Sequence, residues 1–200
     1  MEVYMLKPPK ELWCHLPWIA FAAMAAGVLW TVGILLTWLD PDGFLPARRG
    51  LVAISLLLVL PLFVTLPVHL LCTRPIVAYG ASLVAGGALL FSLIGIVNVL
   101  APQSYLPQPG WFTWDAFIMA FKVWGLIAML AGVVAFWKRP GFVAAATVVT
   151  GVFTYHFAGT LDGGYPAFWQ FAVAAGLGAS WVVAGVALYR MEQRSPTYNR

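Results

Sequence analysis

The sequence predicts an all-α, polytopic membrane protein, one bundle of six transmembrane helices over residues 1–200 with both termini cytoplasmic. Apolar residues make up 62% of the chain and charged residues 9%, and the mean hydropathy is +0.88. A water-soluble globule carries roughly 25% charged residues. Six apolar stretches can be marked, each about 20 residues, long enough to cross a hydrocarbon core about 30 Å thick at ~1.5 Å rise per residue. Runs such as Leu56-Leu57-Leu58-Val59-Leu60 lack the apolar–polar alternation of a spanning barrel. Little chain remains for an extramembrane catalytic domain, so any chemistry sits among the helices or at their mouths. The formal charge of +4 is no sign of nucleic acid, because the eleven basic residues are scattered at helix ends.

The first span, 17–38, lies behind a 16-residue head with no small-residue cleavage site after it, so it reads as a retained helix and not a cleaved signal. Its Ala22 with Ala26 and Ala23 with Gly27 let a neighbouring backbone approach. Asp40-Pro41-Asp42-Gly43 and Ala47-Arg48 after it resemble the CDP-alcohol phosphotransferase pattern, but the spacing is shifted by one and the downstream aspartates are missing. That stretch is expected to be a loop. The second span, 51–71, contains Pro61 and Pro67, which free backbone carbonyls and are expected to kink it. The tight Arg74-Pro75 turn leads to the third, 76–100, as its antiparallel neighbour. The loop at 101–113 holds Pro102, Pro107 and Pro109 and no charge, which suits lying on a membrane surface or covering a ligand. The fourth span, 114–137, carries Lys122 near its centre, and the turn from Lys138 to Gly141 joins it to the fifth, 142–161. The sixth, 168–189, repeats small residues as Ala172, Gly176, Ser180 and Ala184, again marking an interface.

Basic residues set the orientation. Lys7, Lys10, Arg74, Lys138, Arg139, Arg190, Arg194 and Arg200 fall on the side of the termini, and only Arg48 and Arg49 on the other, which also holds Asp40, Asp42 and Asp162. The richer side is cytoplasmic. Cys14 and Cys72 then lie at cytoplasmic helix ends, where thiols stay reduced, and no disulfide is expected.

Subtracting these orientation marks leaves few polar residues. Of the ten tryptophans, Trp13, Trp18, Trp137, Trp38, Trp111, Trp114 and Trp169 fit the two interfacial belts. Trp30, Trp124 and Trp181 fall deeper, where an indole fills the core with a hydrogen-bond partner or packs on a large flat ligand. A lysine at a helix centre costs about 2.5–3.5 kcal/mol on insertion scales and needs a compensating partner. For Lys122 that partner is Asp115, seven residues earlier on the same face, or an anionic group of a bound molecule. His156, in Tyr155-His156-Phe157, lies about five residues below the outer end of its span, while His15 and His69 lie near the cytoplasmic side. A neutral imidazole binds haem iron or another metal, relays protons, or is simply hydrogen-bonded. With three histidines the chain is short of the four that two transmembrane haems ordinarily use. No P-loop, HExxH, GxSxG or histidine box occurs, which leaves ATP hydrolysis, zinc proteolysis and di-iron desaturation without support.

Pro109-Gly110-Trp111-Phe112-Thr113-Trp114-Asp115-Ala116, with Pro8-Pro9 before the first span, resembles the tryptophan-rich WWD segment of the six-helix haem-handling membrane proteins of cytochrome c maturation. In that family the segment lies between helices three and four on the external face. The resemblance implies that Trp111 and Trp114 form an aromatic platform, that Asp115 orients it, and that His156 is an axial ligand of haem iron. A fainter similarity, through His69-Leu70-Leu71-Cys72-Thr73-Arg74-Pro75, is to quinone-binding membrane anchors of molybdenum reductases.

The expected function is that of an integral subunit of a redox or haem-related assembly in an energy-conserving prokaryotic inner membrane. It holds haem or quinone near the external face through Trp111, Trp114, Asp115, Lys122 and His156, with any catalysis shared with partner subunits in electron transport. No catalytic residue is assigned. Two alternatives are a small-solute transporter or channel using Lys122, favoured by a faint inverted echo between the two halves, and a purely structural subunit of a larger complex.

Overall fold

The computed structural model describes residues 10–39, 45–71, 114–138, 141–161 and 166–193, and among them every regular element is a helix and none a strand. In chain order these are α1 (Lys10–Leu39), α2 (Leu45–Leu71), α3 (Trp114–Lys138), α4 (Phe142–Leu161) and α5 (Ala167–Gln193). They contain the expected spans 17–38, 51–71, 114–137, 142–161 and 168–189, and α2 also takes in Ala47 and Arg48, which the sequence alone puts in a loop. The span at 76–100, the loop at 101–113 and Cys72 lie outside the described residues.

Local chemistry sets the helix starts. The Pro166 carbonyl accepts the amides of Trp169 (2.9 Å) and Gln170 (3.1 Å) at the head of α5, and Gly141 O accepts Ala145 N (3.1 Å) at the head of α4. Pro46 stands in the first turn of α2, where its missing N–H leaves no helical bond unmade. Further along, α2 runs through Pro61 and Pro67. Pro67 offers no amide to the carbonyl four residues before it. That carbonyl, Phe63 O, instead accepts the indole N–H of Trp124 from α3 at 3.1 Å.

The helices pack as a closed ring in chain order: α1 on α2, α2 on α3, α3 on α4, α4 on α5, and α5 back on α1, with α1·α5 and α3·α4 the most extensive. Glycines bring both of these pairs close. A Cβ on Gly178 would lie 2.9 Å from Gly27 O, and one on Gly185 would lie 2.6 Å from Ala20 O, which makes α1 and α5 antiparallel. The small-residue stripe expected on the last helix is divided between two neighbours. Ser180 and Ala184 are buried, Gly176 meets the Phe153 ring of α4, and Gly178 and Gly185 make the approach to α1.

Aromatic rings fill the centre. Trp30 of α1 lies 5.3 Å from Phe157 of α4 and 5.3 Å from Trp181 of α5. Phe63 of α2 lies 6.0 Å from Trp181 and 4.1 Å from Trp124 of α3. The chain of rings thus touches all five helices. The three deep tryptophans are therefore core, and two of their indoles reach backbone carbonyls: Trp30 Nε1 donates to Ala174 O at 2.8 Å, as Trp124 does to Phe63 O. Trp181 Nε1 is buried and has no such partner among the described residues. Most buried hydroxyls are satisfied within their own helices, as Thr65 Oγ1 on Pro61 O and Thr154 Oγ1 on Thr150 O, both at 2.7 Å, while Thr150 Oγ1 donates across to Ser180 O of α5 at 3.4 Å. Local bonding of this kind is what a backbone surrounded by hydrocarbon requires.

The outside is as apolar as the inside. Phe21, Val28, Val32 and Leu35 form an exposed stripe along α1, and Met119, Val123, Leu126 and Leu130 one along α3. Surfaces of this kind belong against lipid. Three stretches, Pro17–Leu36, Phe142–Thr160 and Ala167–Met191, are long and apolar enough to cross a membrane, and Gly50–Leu66 and Phe121–Trp137 are shorter apolar stretches. Exposed Trp18 and Trp38 bracket α1, and at ~1.5 Å per residue they stand about 30 Å apart, one hydrocarbon thickness.

Candidate functional site

The α3–α4 crossing determines where the polar residues stand. A Cβ on Gly125 would lie 2.8 Å from both Gly151 O and Tyr155 N, and one on Gly132 would lie 2.9 Å from Ala144 O and Val148 N. Residue 125 is thus level with the middle of 151–155, and residue 132 with the middle of 144–148. The helices are antiparallel, and three residues before Gly125 the register brings Lys122 level with His156.

Both residues also open to the same side. On α3, Lys122 is half-buried between the face that meets α4, which carries Gly125 and Met129, and the exposed stripe of Met119, Val123 and Leu126. On α4, His156 is exposed and continues at seven-residue spacing the exposed stripe of Phe142 and Val149. In an antiparallel pair, turning the same way from the mutual interface leads to the same outer side, and Lys122 and His156 both lie that way. Tyr155 stands between them: its backbone packs at Gly125, and its ring meets the His156 imidazole edge-on at 6.0 Å.

Depth follows from position. His156 is five residues before the end of α4, about 7.5 Å along the axis. Lys122 is eight residues after the start of α3, about 12 Å. Lys122 is the ninth of the 25 residues of α3, on the Trp114 side of its centre. A lysine there extends its stem toward the near interface, and burial costs less than at the midplane.

Of the other expected site residues, Trp114 and Asp115 open α3 above Lys122, with Asp115 about 10 Å along the axis from it. Their side chains lie outside the described residues, as does Trp111 altogether. His15, near the start of α1, is at the end of the bundle away from His156: the α1–α5 register puts the start of α1 beside the end of α5, where Phe21 meets Tyr189 at 5.6 Å and Arg190 lies over the Phe142 ring of α4 at 5.7 Å. Among the described residues no three His, Cys, Asp or Glu side chains gather as a metal site. Tyr155 is the member of the site that residue type alone does not single out; its only signal is adjacency to His156.

The chain matches no family model, and neither a curated protein nor a solved structure matches it.

Proposed function

We propose that this chain is an integral membrane subunit of a redox or haem-related assembly, holding a haem or a quinone near the external face. In this proposal the stretch 76–100 completes six spans, both termini face the cytoplasm, and the bilayer is a prokaryotic inner membrane. One observation supports it above the others: Lys122 and His156 share a level and an outer side in a bundle whose described core is apolar apart from buried serines and threonines. Ionisable side chains at hydrocarbon depth are costly unless a polar group compensates them, and they mark functional positions by default.

His156 would supply an axial nitrogen to haem iron or a hydrogen bond to a quinone oxygen, and Lys122 the charge that offsets a propionate or carbonyl. Trp111, Trp114 and Asp115 would border the site from the outer margin of α3. A bound haem or quinone brings electron transfer; the chain's own residues position it and shield it from water. The transport alternative draws on a lysine inside the membrane. Lys122 lies on the outer side of α3, while aromatic rings fill the centre of the helix ring, so no observation favours that alternative.

The test is an optical spectrum and solvent extraction of the full-length protein purified in mild detergent, together with a census of copurifying chains. A Soret band lost in His156→Ala, or extractable quinone near one per chain, supports the proposal. A colourless preparation without quinone refutes it, and if partner subunits nevertheless copurify, the role is structural.

A further inference from the structure

We infer that the end of the bundle where Arg190 of α5 lies over Phe142 of α4 binds the phosphate of an acidic phospholipid, whose acyl chains run along Val149 and Val183. The site stands apart from Lys122 and His156 and does not depend on what those residues hold.

Its geometry follows from the α4–α5 register. Thr150 Oγ1 meets Ser180 O at 3.4 Å, Gly176 meets the Phe153 ring, and the Arg190 guanidinium is 5.7 Å from the centre of the Phe142 ring. The helices are therefore antiparallel, with 142 level with 190 and, further into the bundle, 149 level with 183. At about 100° per residue, Val183 and Arg190 stand about 60–80° round α5 from Ser180, and Phe142 and Val149 about 80–100° round α4 from Thr150, in the same sense. In an antiparallel pair that places all four on one outer flank of the seam, and all four are exposed.

Depth suits a lipid headgroup. Phe142 opens the apolar stretch Phe142–Thr160, and Arg190 is next to last in Ala167–Met191. Both therefore stand at the margin of the hydrocarbon, with Val149 and Val183 about 10 Å further along the helices. A soluble anion would use the guanidinium alone, whereas a phospholipid matches the guanidinium and the apolar flank together.

Charge selects an anion. Stacking on a ring engages the face of a guanidinium, and the N–H groups on its edge suit the paired oxygens of a phosphate. Lys138 closes α3 and Arg139 follows it, adding positive charge within four residues of Phe142. Carboxylates that could take the place of the phosphate are few. Asp40, Asp42, Asp115 and Asp162 adjoin the opposite helix ends, and the stretch 72–113 has no acidic residue. Glu192 is two positions from Arg190, a spacing at which helix residues do not face each other. Glu11 is on α1, which meets a different side of α5 at Gly178 and Gly185, and Glu2 lies outside the described residues.

The experiment uses the full-length protein in nanodiscs of phosphatidylcholine and phosphatidylglycerol in equal parts, released in a mass spectrometer so that the lipids that stay bound are identified and counted. Retention of phosphatidylglycerol in preference to phosphatidylcholine, near one per chain, is the expected result. Arg190→Gln should lower that preference about fivefold, the factor for one basic group at a charged surface. Arg190→Lys should fall between, because an ammonium keeps the charge and loses the stacked plane, and Phe142→Leu should fall with it. Lys10→Gln, which removes the same charge at the start of α1, should leave the preference unchanged. Circular dichroism and size exclusion check folding, and if Arg190→Gln does not fold, Phe142→Leu and Arg190→Lys carry the test. No preference for the acidic lipid, or a preference that survives the Arg190 and Phe142 substitutions, overturns the inference. Equal losses in Lys10→Gln and Arg190→Gln overturn it in favour of diffuse surface charge. Displacement of the lipid by inorganic phosphate overturns it in favour of a soluble anion.

Discussion

Trp124→Phe and Pro67→Ala, made singly and together, probe the contact that ties α2 to α3. Pro67 has no N–H, so Phe63 O lacks its helical donor, and the Trp124 indole supplies one at 3.1 Å from a position 1% exposed. In the native background Trp124→Phe leaves that carbonyl without a donor beside a side chain that is almost fully buried. In the Pro67→Ala background the new amide at residue 67 takes its place, and the same truncation loses less. The difference is the coupling energy of the cycle. Hydrogen bonds inside membrane bundles average about 0.6 kcal/mol in such cycles and reach about 1.7, while an orphaned buried carbonyl costs about 1–3 kcal/mol. A coupling of about 1 kcal/mol is therefore expected. Trp181 is the control: its indole is fully buried and its Nε1 bonds to no carbonyl among the described residues, so Trp181→Phe should be additive with Pro67→Ala to within about 0.5 kcal/mol. Reversible unfolding of the purified protein in mixed micelles reads all of these. Additivity of Trp124→Phe with Pro67→Ala would refute the idea that the indole replaces the missing amide.

Other substitutions separate close backbone approach from open surface. Gly125→Leu and Gly151→Leu should each destabilise by about 1–3 kcal/mol or more through overpacking, because even a Cβ at either position would lie within 2.8 Å of the opposing backbone; the unfolding midpoint in micelles measures it. Gly159→Ala meets nothing within 4 Å and should stabilise by about 0.5–1 kcal/mol through helix propensity, raising the midpoint in the same titration. Phe63→Ala opens a hole at the junction of the ring chain and should cost about 3–5 kcal/mol, with near-ultraviolet dichroism of the tryptophans diminished. His156→Ala removes an exposed side chain and should shift stability by no more than about 0.5 kcal/mol, so any loss of bound ligand in that variant is not a loss of fold.

Most of the helical framework is legible in the residues because bilayer thickness dictates the length of an apolar run. The stretch 142–161 coincides with α4, while α1 begins at Lys10 and α5 reaches Gln193, since helices continue past the hydrocarbon with residues that hydropathy does not mark. The pairing of faces is less legible. A glycine looks the same in sequence at an interface or toward lipid, and Gly125, Gly132 and Gly151 carry no sign that they form the α3–α4 contact. The expected stripe on the last helix captured Ser180 and Ala184 but not Gly178 and Gly185, because which small residue makes the closest approach depends on the partner helix. Lys122 and His156 are conspicuous as residue types. That they share a level and a side is a property of the antiparallel register, which arises from backbone approach at Gly125 and Gly151 and not from either residue itself. The prolines of α2 signal freed carbonyls, but that Phe63 O would receive the Trp124 indole needed the packing of two helices whose spans are far apart in sequence.

The most direct test of the central claim, that Lys122 and His156 share a level and an outer side of the α3–α4 pair near the external face, is the environment of residue 156. A nitroxide label on His156→Cys, in a background with Cys14 and Cys72 replaced by serine, reports depth and solvent through its collisions with oxygen and with a water-soluble nickel chelate. A label rich in oxygen collisions and poor in nickel collisions, about 5–10 Å below the outer interface, is the expected result for a side chain five residues inside the end of α4. Shielding from both reagents, or ready access of the nickel chelate, would contradict the account.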